Sequence, residues 1–206
     1  MLYKIIHALA KIIFKIFFRL TIIGYNNIPK QSGFIVSPNH KSSLDIPIVG
    51  AALPRKMYTV GKKELFNKKF NRWFYSSLGG IPIDREATGI ESMRRAIEAV
   101  KNGNPLLIFP EGTRFEGTGL GKGKKGPAFI SVSGRVPILP VGIAGTDKAM
   151  PKKAKLPKPT HVVVVFGKPF KAWEIFNPND RAFLDNAIDY LMKEIEKCHE
   201  QAKEKL

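Results

Sequence analysis

The segment Ser37 to Pro47, SPNHKSSLDIP, places an imidazole at His40 and a carboxylate at Asp45 in a stretch that is otherwise small, polar or broken by proline. Imidazole exchanges a proton near neutral pH, and a carboxylate beside it fixes which ring nitrogen does so, so the pair suits general base catalysis. The spacing is not helical: at about 100° per residue the two side chains would point roughly 140° apart on a helix. A loop must bring them together. Ser42, Ser43 and Asp45 are helix-capping residue types ahead of the apolar run Ile46 to Leu53. His40 is therefore expected just before a helix start, with the chain doubling back to set Asp45 beside it.

Further segments carry residues of the same chemical kind. LGGIPIDR ends in Asp84 and Arg85 after a glycine pair, and LLIFPEGTRF is an apolar strand ending in Pro110, Glu111, Gly112, Thr113 and Arg114. VPILPVGIAG is a strand bracketed by prolines. Taken singly, Asp84 with Arg85, or Glu111 with Arg114, would read as structural ion pairs closing strand ends. Taken in order, H-x4-D, G-x-I-P-I-D-R, F-P-E-G-T-R and V-P-I-L-P-V resemble the glycerolipid acyltransferases, specifically the 1-acylglycerol-3-phosphate O-acyltransferases, from about Gly33 to Gly145.

The resemblance implies transfer of a fatty acyl group from an acyl thioester, acyl-CoA or acyl-ACP (acyl carrier protein), to the sn-2 hydroxyl of lysophosphatidic acid. The product is phosphatidic acid, in phospholipid biosynthesis, and no metal or cofactor is expected beyond the thioester co-substrate. Glycerol 3-phosphate or another lyso-lipid is the alternative acceptor. On the matched motifs His40 is the general base and Asp45 its orienter, and Glu111, Gly112, Thr113 and Arg114 form a substrate-binding block. Lys62 and Lys63, in GKKEL, fall where members similarly carry lysines near the acceptor phosphate. Arg85 and Arg114 are planar forks suited to bidentate phosphate contact, and Asp84 reads as structural. Backbone N–H groups at Gly79, Gly80 and Ile81 are candidate donors to the oxyanion, because glycine permits close approach. There is no G-x-S-x-G elbow, and the sole thiol, Cys198, has no link to these motifs, so direct attack by the lipid hydroxyl is expected without an acyl-enzyme.

The elements that must position these residues are legible as alternation. β-like runs begin at Phe34, Lys56, Leu106, Ile138 and His161, separated by helical stretches, which predicts an α/β fold with a central mixed sheet covered by helices. Ile90 to Lys101 has apolar residues at helical spacing and ends at Gly103, and a last helix from about Asn179 carries Phe183, Ala187, Ile188, Leu191, Ile195 and Cys198 on one face. A chain of 206 residues fits one domain with an appendage: an N-terminal arm, residues 1–23, and a catalytic domain, residues 24–206.

Charge points to an anionic partner. The chain has 34 basic and 17 acidic side chains, a formal +17. Residues 1–30 carry Lys4, Lys11, Lys15, Arg19 and Lys30 without an acid, embedded in Ile, Leu and Phe. Polar residues at 4, 7, 11, 15 and 19 form one stripe of about 120° on a helix whose other faces are apolar. No apolar run there is long enough to cross a bilayer, so the arm is expected to lie in an anionic membrane interface, making the protein peripheral or monotopic on the cytoplasmic face of the cell membrane. A helix packed on the core is the alternative. A basic binder of membranes or nucleic acid without catalysis is the rival class, but no nucleic-acid reading module is present, and no nucleic-acid partner is expected. A metal hydrolase on His40, Asp45 and Glu111 is weaker, since no two of His7, His40, His161 and His199 share a ligand motif.

Overall fold

The computed structural model describes residues 2–62, 67–69, 72–73, 76, 79–83 and 90–206. In chain order the elements are α1 (Leu2–Phe17), β1 (Thr21–Ile23), a 3₁₀ turn at Tyr25–Asn27, β2 (Phe34–Pro38), α2 (Asp45–Ala52), β3 (Tyr58–Lys62) and β4 (Gly80–Ile83). There follow α3 (Ile90–Lys101), β5 (Pro105–Leu107), α4 (Gly126–Gly134), β6 (Ile138–Ala144), α5 (Thr146–Ala149), β7 (Val163–Phe166), α6 (Ala172–Ile175) and α7 (Phe183–Glu204). The strands join in one seven-stranded sheet, β1-β7-β6-β2-β5-β3-β4. It is mixed: β6 and β7 run antiparallel, and the other neighbours run parallel.

Strands covered on both faces need apolar residues at every position, and β2, β5, β6 and β7 are buried throughout. Alternate residues feed two cores. Phe34, Val36, Leu139, Val141, Ile143, Val164 and Phe166 pack with α2 and the end of α1 on one face. Ile35, Leu106 and Ile138 pack with α3, α4 and α7 on the other. The last helix crosses β6 so closely that a Cβ on Gly142 would come within 2.2 Å of the Cys198 carbonyl carbon. Only glycine fits there.

All five runs expected as strands are strands, and two more were not foreseen. β1 has only three residues, too few to show a period. β4 follows Gly79 and holds Gly80 and Ile81, the residues that the sequence offered for oxyanion binding. Gly79 is constrained by packing: it has φ 93°, and a Cβ there would lie 2.4 Å from the Met57 carbonyl oxygen.

The order of strands sets the site. β2 lies between β6 and β5. Its neighbours run parallel to it, so the chain leaves all three at the same edge: into His40 after β2, into Glu111 to Arg114 after β5, and into Gly145 after β6. Crevices at carboxyl ends, where neighbouring strands send their chains in different directions, are where open α/β sheets bind ligands.

The arm packs more than the sequence predicted. Tyr3, Ile6, His7, Ala10 and Phe14 turn toward the body, and Phe18 beyond the helix is fully buried. His7 was expected in the outward polar stripe. Instead its Nε2 lies 2.9 Å from the Leu53 carbonyl oxygen and 3.2 Å from that of Gly50, at the end of α2. Those carbonyls have no partner within their own helix, and a ring N–H satisfies them. Lys4, Lys15 and Arg19 remain outward, beside an exposed apolar strip of Ile5, Leu9, Ile12, Ile13 and Ile16.

Candidate active site

His40 follows β2 by two residues, and α2 starts at Asp45, so the chain between them is a tight loop. Its Nδ1 lies 2.9 Å from Asp45 Oδ2. The same oxygen accepts the Lys41 and Ser42 backbone N–H groups, each at 2.8 Å. Asp45 is completely buried, and this one oxygen gathers the ring and two backbone donors. The capping expectation is corrected in detail. Asp45 is the first residue of α2 and bonds backward to the loop, while Ser42 Oγ donates to the Met150 carbonyl and accepts from Leu44 N–H. An ionised carboxylate only accepts, so Nδ1 carries the proton in the neutral ring and Nε2 presents a lone pair. Nε2 has no hydrogen-bond partner among the described residues.

The ring is fixed from below as well. Phe109 stacks on His40 with centroids 3.7 Å apart and planes 17° from parallel. Glu111 then ties the loop down: Oε1 accepts His40 N–H at 2.7 Å and Oε2 accepts Gly121 N–H at 2.8 Å. Phe115 N–H donates to the His40 carbonyl at 2.9 Å, so both backbone groups of His40 are held by the segment after β5. Asn39, buried, clamps β2 to β6 through Ile143 N–H and C=O. The sequence assigned Glu111 to substrate. It is 5% exposed with both oxygens on backbone donors, so the structure makes it a brace between His40 and the glycine-lysine loop.

Arg114 does not pair with Glu111. Its Nη1 donates to Ser43 Oγ at 3.0 Å, which holds the guanidinium over the loop that carries His40. Gly112 has φ 72°, and Thr113 is exposed beside it. Beyond Ser43 opens an apolar cavity of about 390 Å³ between α1, α2 and the β3–β4 edge, lined by Tyr3, Ile6, Ser43, Ile46, Met57 and Gly80 among others. Gly79, Gly80 and Ile81 are not brought to His40. They stand at the edge strand, three strands from β2, roughly 14 Å away at the usual strand spacing. Lys63, Asp84 and Arg85 lie outside the described residues, as does the side chain of Lys62, whose backbone ends β3.

Phe109, Asn39 and Ser43 were missed. The signal for Phe109 was its place at the mouth of an apolar strand next to the charged motif; Asn39 and Ser43 flank His40 but their partners lie far along the chain. Cys198 is buried, and burial pushes its thiol up to about 11, which leaves little thiolate near neutral pH. Among the described residues no group of three His, Cys, Asp or Glu side chains gathers as a metal centre.

The segment that gathers this buried carboxylate, oriented imidazole and arginine at the carboxyl ends of parallel strands lies within the match to the Acyltransferase family model, residues 19–144, more than half of the chain, and the chain belongs to that family. Among relatives, the 1-acyl-sn-glycerol-3-phosphate acyltransferase of Bacillus subtilis is 28% identical over 202 residues, 95% of this chain and 97% of that one. The chloroplastic 1-acyl-sn-glycerol-3-phosphate acyltransferase of Brassica napus is 32% identical over 155 residues, 72% of this chain but 45% of its own length. In three dimensions the chain resembles the crystal structure of the 1-acyl-sn-glycerophosphate (LPA) acyltransferase PlsC from Thermotoga maritima. The TM-score is 0.82 at 30% identity, over 98% of this chain and 79% of that one.

Proposed function

We propose that this protein transfers a fatty acyl group from a thioester to the sn-2 hydroxyl of 1-acylglycerol 3-phosphate, giving phosphatidic acid. The observation that carries the reading is the His40–Asp45 contact of 2.9 Å, with Nε2 unpartnered among the described residues at the carboxyl edge of the sheet. His40 Nε2 takes the hydroxyl proton as the alkoxide oxygen attacks the thioester carbonyl carbon. Asp45 stabilises the imidazolium that results. The tetrahedral oxyanion collapses, the C–S bond breaks, and the departing sulfur takes the proton from His40, which restores the neutral base. No side-chain nucleophile is needed.

Arg114 is the cation for the acceptor phosphate, with Lys62, Lys63 and Arg85 as further candidates. The names of the relatives support lysophosphatidate as acceptor, and so does the apolar cavity beside Ser43, which suits an acceptor that already carries a chain better than glycerol 3-phosphate. No described helix is long and apolar enough to cross a membrane. The exposed strip of α1 with its basic flank supports residence on an anionic bilayer at the cytoplasmic face, with residues 1–23 as the contact arm and 24–206 as the catalytic domain. The co-substrate is acyl-CoA or acyl carrier protein.

The test is purified protein with anionic vesicles and an acyl thioester, offered lysophosphatidate or glycerol 3-phosphate, with products read by mass spectrometry. Phosphatidate from lysophosphatidate is expected. Exclusive formation of lysophosphatidate from glycerol 3-phosphate would sink the acceptor assignment.

A further inference from the structure

On the side of His40 away from α1 lies a second hollow, of about 460 Å³, with lysines in its wall where the first has none among the described residues. Lys41, the residue after His40, forms one wall, and Lys148 and Lys203 face it from α5 and from the end of α7. Asp147 is the single acidic side chain among its lining residues. Lys203 shares its charge with Glu200, but Lys148 has no ion-pair partner among the described residues.

The rest of the wall combines main chain and orphaned polar atoms with the apolar Ala144 and Leu206. Gly117, Thr118, Gly119 and Gly145 line it, and at Gly119 a Cβ would meet nothing within 4 Å. Lys41 Nζ donates to the Gly117 carbonyl at 2.7 Å, which ties this wall to the catalytic loop. His199 lines the hollow and is 93% buried, with Nδ1 unpartnered; Thr146, between two lining residues, is fully buried with its hydroxyl also unpartnered. Unpaired polar groups at such depth are uncommon and mark sites rather than packing. The hollow sits at the carboxyl ends of β2 and β6, in the same crevice as His40.

We infer that this hollow binds the phosphate of the acyl donor's phosphopantetheine arm. The inference rests on the acyl-transfer reading above. Two anionic substrates must reach His40 together, and the site offers each a separate cation. Arg114 with Ser43 adjoins the apolar cavity on the α1 face, where a lipid acceptor enters. Lys41, Lys148 and Lys203 line a recess on the α7 face, three cations against one acidic side chain, which fits a phosphate. Acyl-CoA and acyl carrier protein both present that phosphate, so the hollow would serve either donor.

The experiment uses the full chain with Lys148→Glu, Lys203→Glu and the two combined, each checked for native circular dichroism. Both lysines are exposed, so the fold should be unaffected. Calorimetric titration with 4′-phosphopantetheine should show binding to the wild type, none with dephosphorylated pantetheine, and loss in the double variant. In steady-state assays the KM for acyl-CoA and for acyl carrier protein should both rise about tenfold or more in the double variant, while the KM for lysophosphatidate stays unchanged. Lys148→Arg should keep the wild-type values. A rise for the carrier protein alone would mean recognition of its acidic surface and overturn the phosphate assignment. So would an equal rise for lysophosphatidate, or no rise at all. Should the wild type show no acyl transfer, the reading of function falls, and the phosphopantetheine titration still decides what the hollow binds.

Discussion

One oxygen of Asp45 serves the His40 ring and two backbone N–H groups, so the residue shapes the loop and sets the tautomer at once. Asp45→Asn should therefore lower kcat by about 10²–10⁴, since a neutral amide does not stabilise the imidazolium, and turning its N–H₂ toward the ring would hold the wrong tautomer. Glu111→Gln should act on stability first. One of its two backbone donors would face an amide N–H₂, costing on the order of 1–3 kcal/mol in urea unfolding; an unchanged midpoint would contradict the brace. Arg114→Ala should raise the KM for the phosphorylated acceptor about tenfold and leave that for the thioester alone, because it is assigned to the phosphate and not the reacting carbonyl. Equal effects would make it a scaffold residue. His40 and Asp45 were legible because both sit in one short loop of telling residue types. The brace was not: the partners of Glu111 are backbone N–H groups, which leave no mark in a sequence, and Ser43 is 71 positions from Arg114.

Among elements, α1 shows what periodicity can and cannot reveal. It separates apolar from basic residues but not one apolar face from another, so the inward turn of Tyr3, His7 and Phe14 appears only in three dimensions. Removing residues 1–20 would strip the buried Phe18 from the core, where loss of such a side chain typically costs about 3–5 kcal/mol, so a truncated protein should unfold more readily. The cleaner test is Leu9→Asp with Ile12→Asp on the outward strip: the melting temperature should hold while co-sedimentation with anionic vesicles is lost. Vesicle binding equal to wild type would deny the strip its role. In α7, burial and the nearby Lys203 and Lys41 hold His199 below its ordinary value of about 6.5, with Glu200 and Asp147 opposing. The unfolded chain then binds the proton more readily, so stability should fall as pH drops below about 6.5, and the loss should level off beneath the folded-state value. His199→Gln should flatten that part of the urea-midpoint profile; an unchanged slope would contradict it. The strands were legible as apolar runs between helices, except the three-residue β1 and β4, where Gly79 just ahead of the strand suggested chemistry while answering to the close Met57 carbonyl.

At the scale of the molecule, a formal +17 gathers counter-ions and anionic surfaces. Each lysine or arginine near an anionic bilayer adds about 1 kcal/mol at modest ionic strength, so vesicle association should weaken steeply with salt. On the proposed function, the exposed apolar strip, the apolar cavity behind it and the oriented base would form a path from bilayer to chemistry, with the lysine-lined hollow proposed for the water-soluble donor. All of this depends on His40 as the base. The direct measurement is phosphatidate formation by wild type and His40→Ala, purified free of host acyltransferase and assayed side by side on vesicles carrying lysophosphatidate. The account predicts a fall of about 10²–10⁴ in kcat with native circular dichroism and unchanged vesicle binding; a variant that turns over within a few-fold of wild type would contradict it.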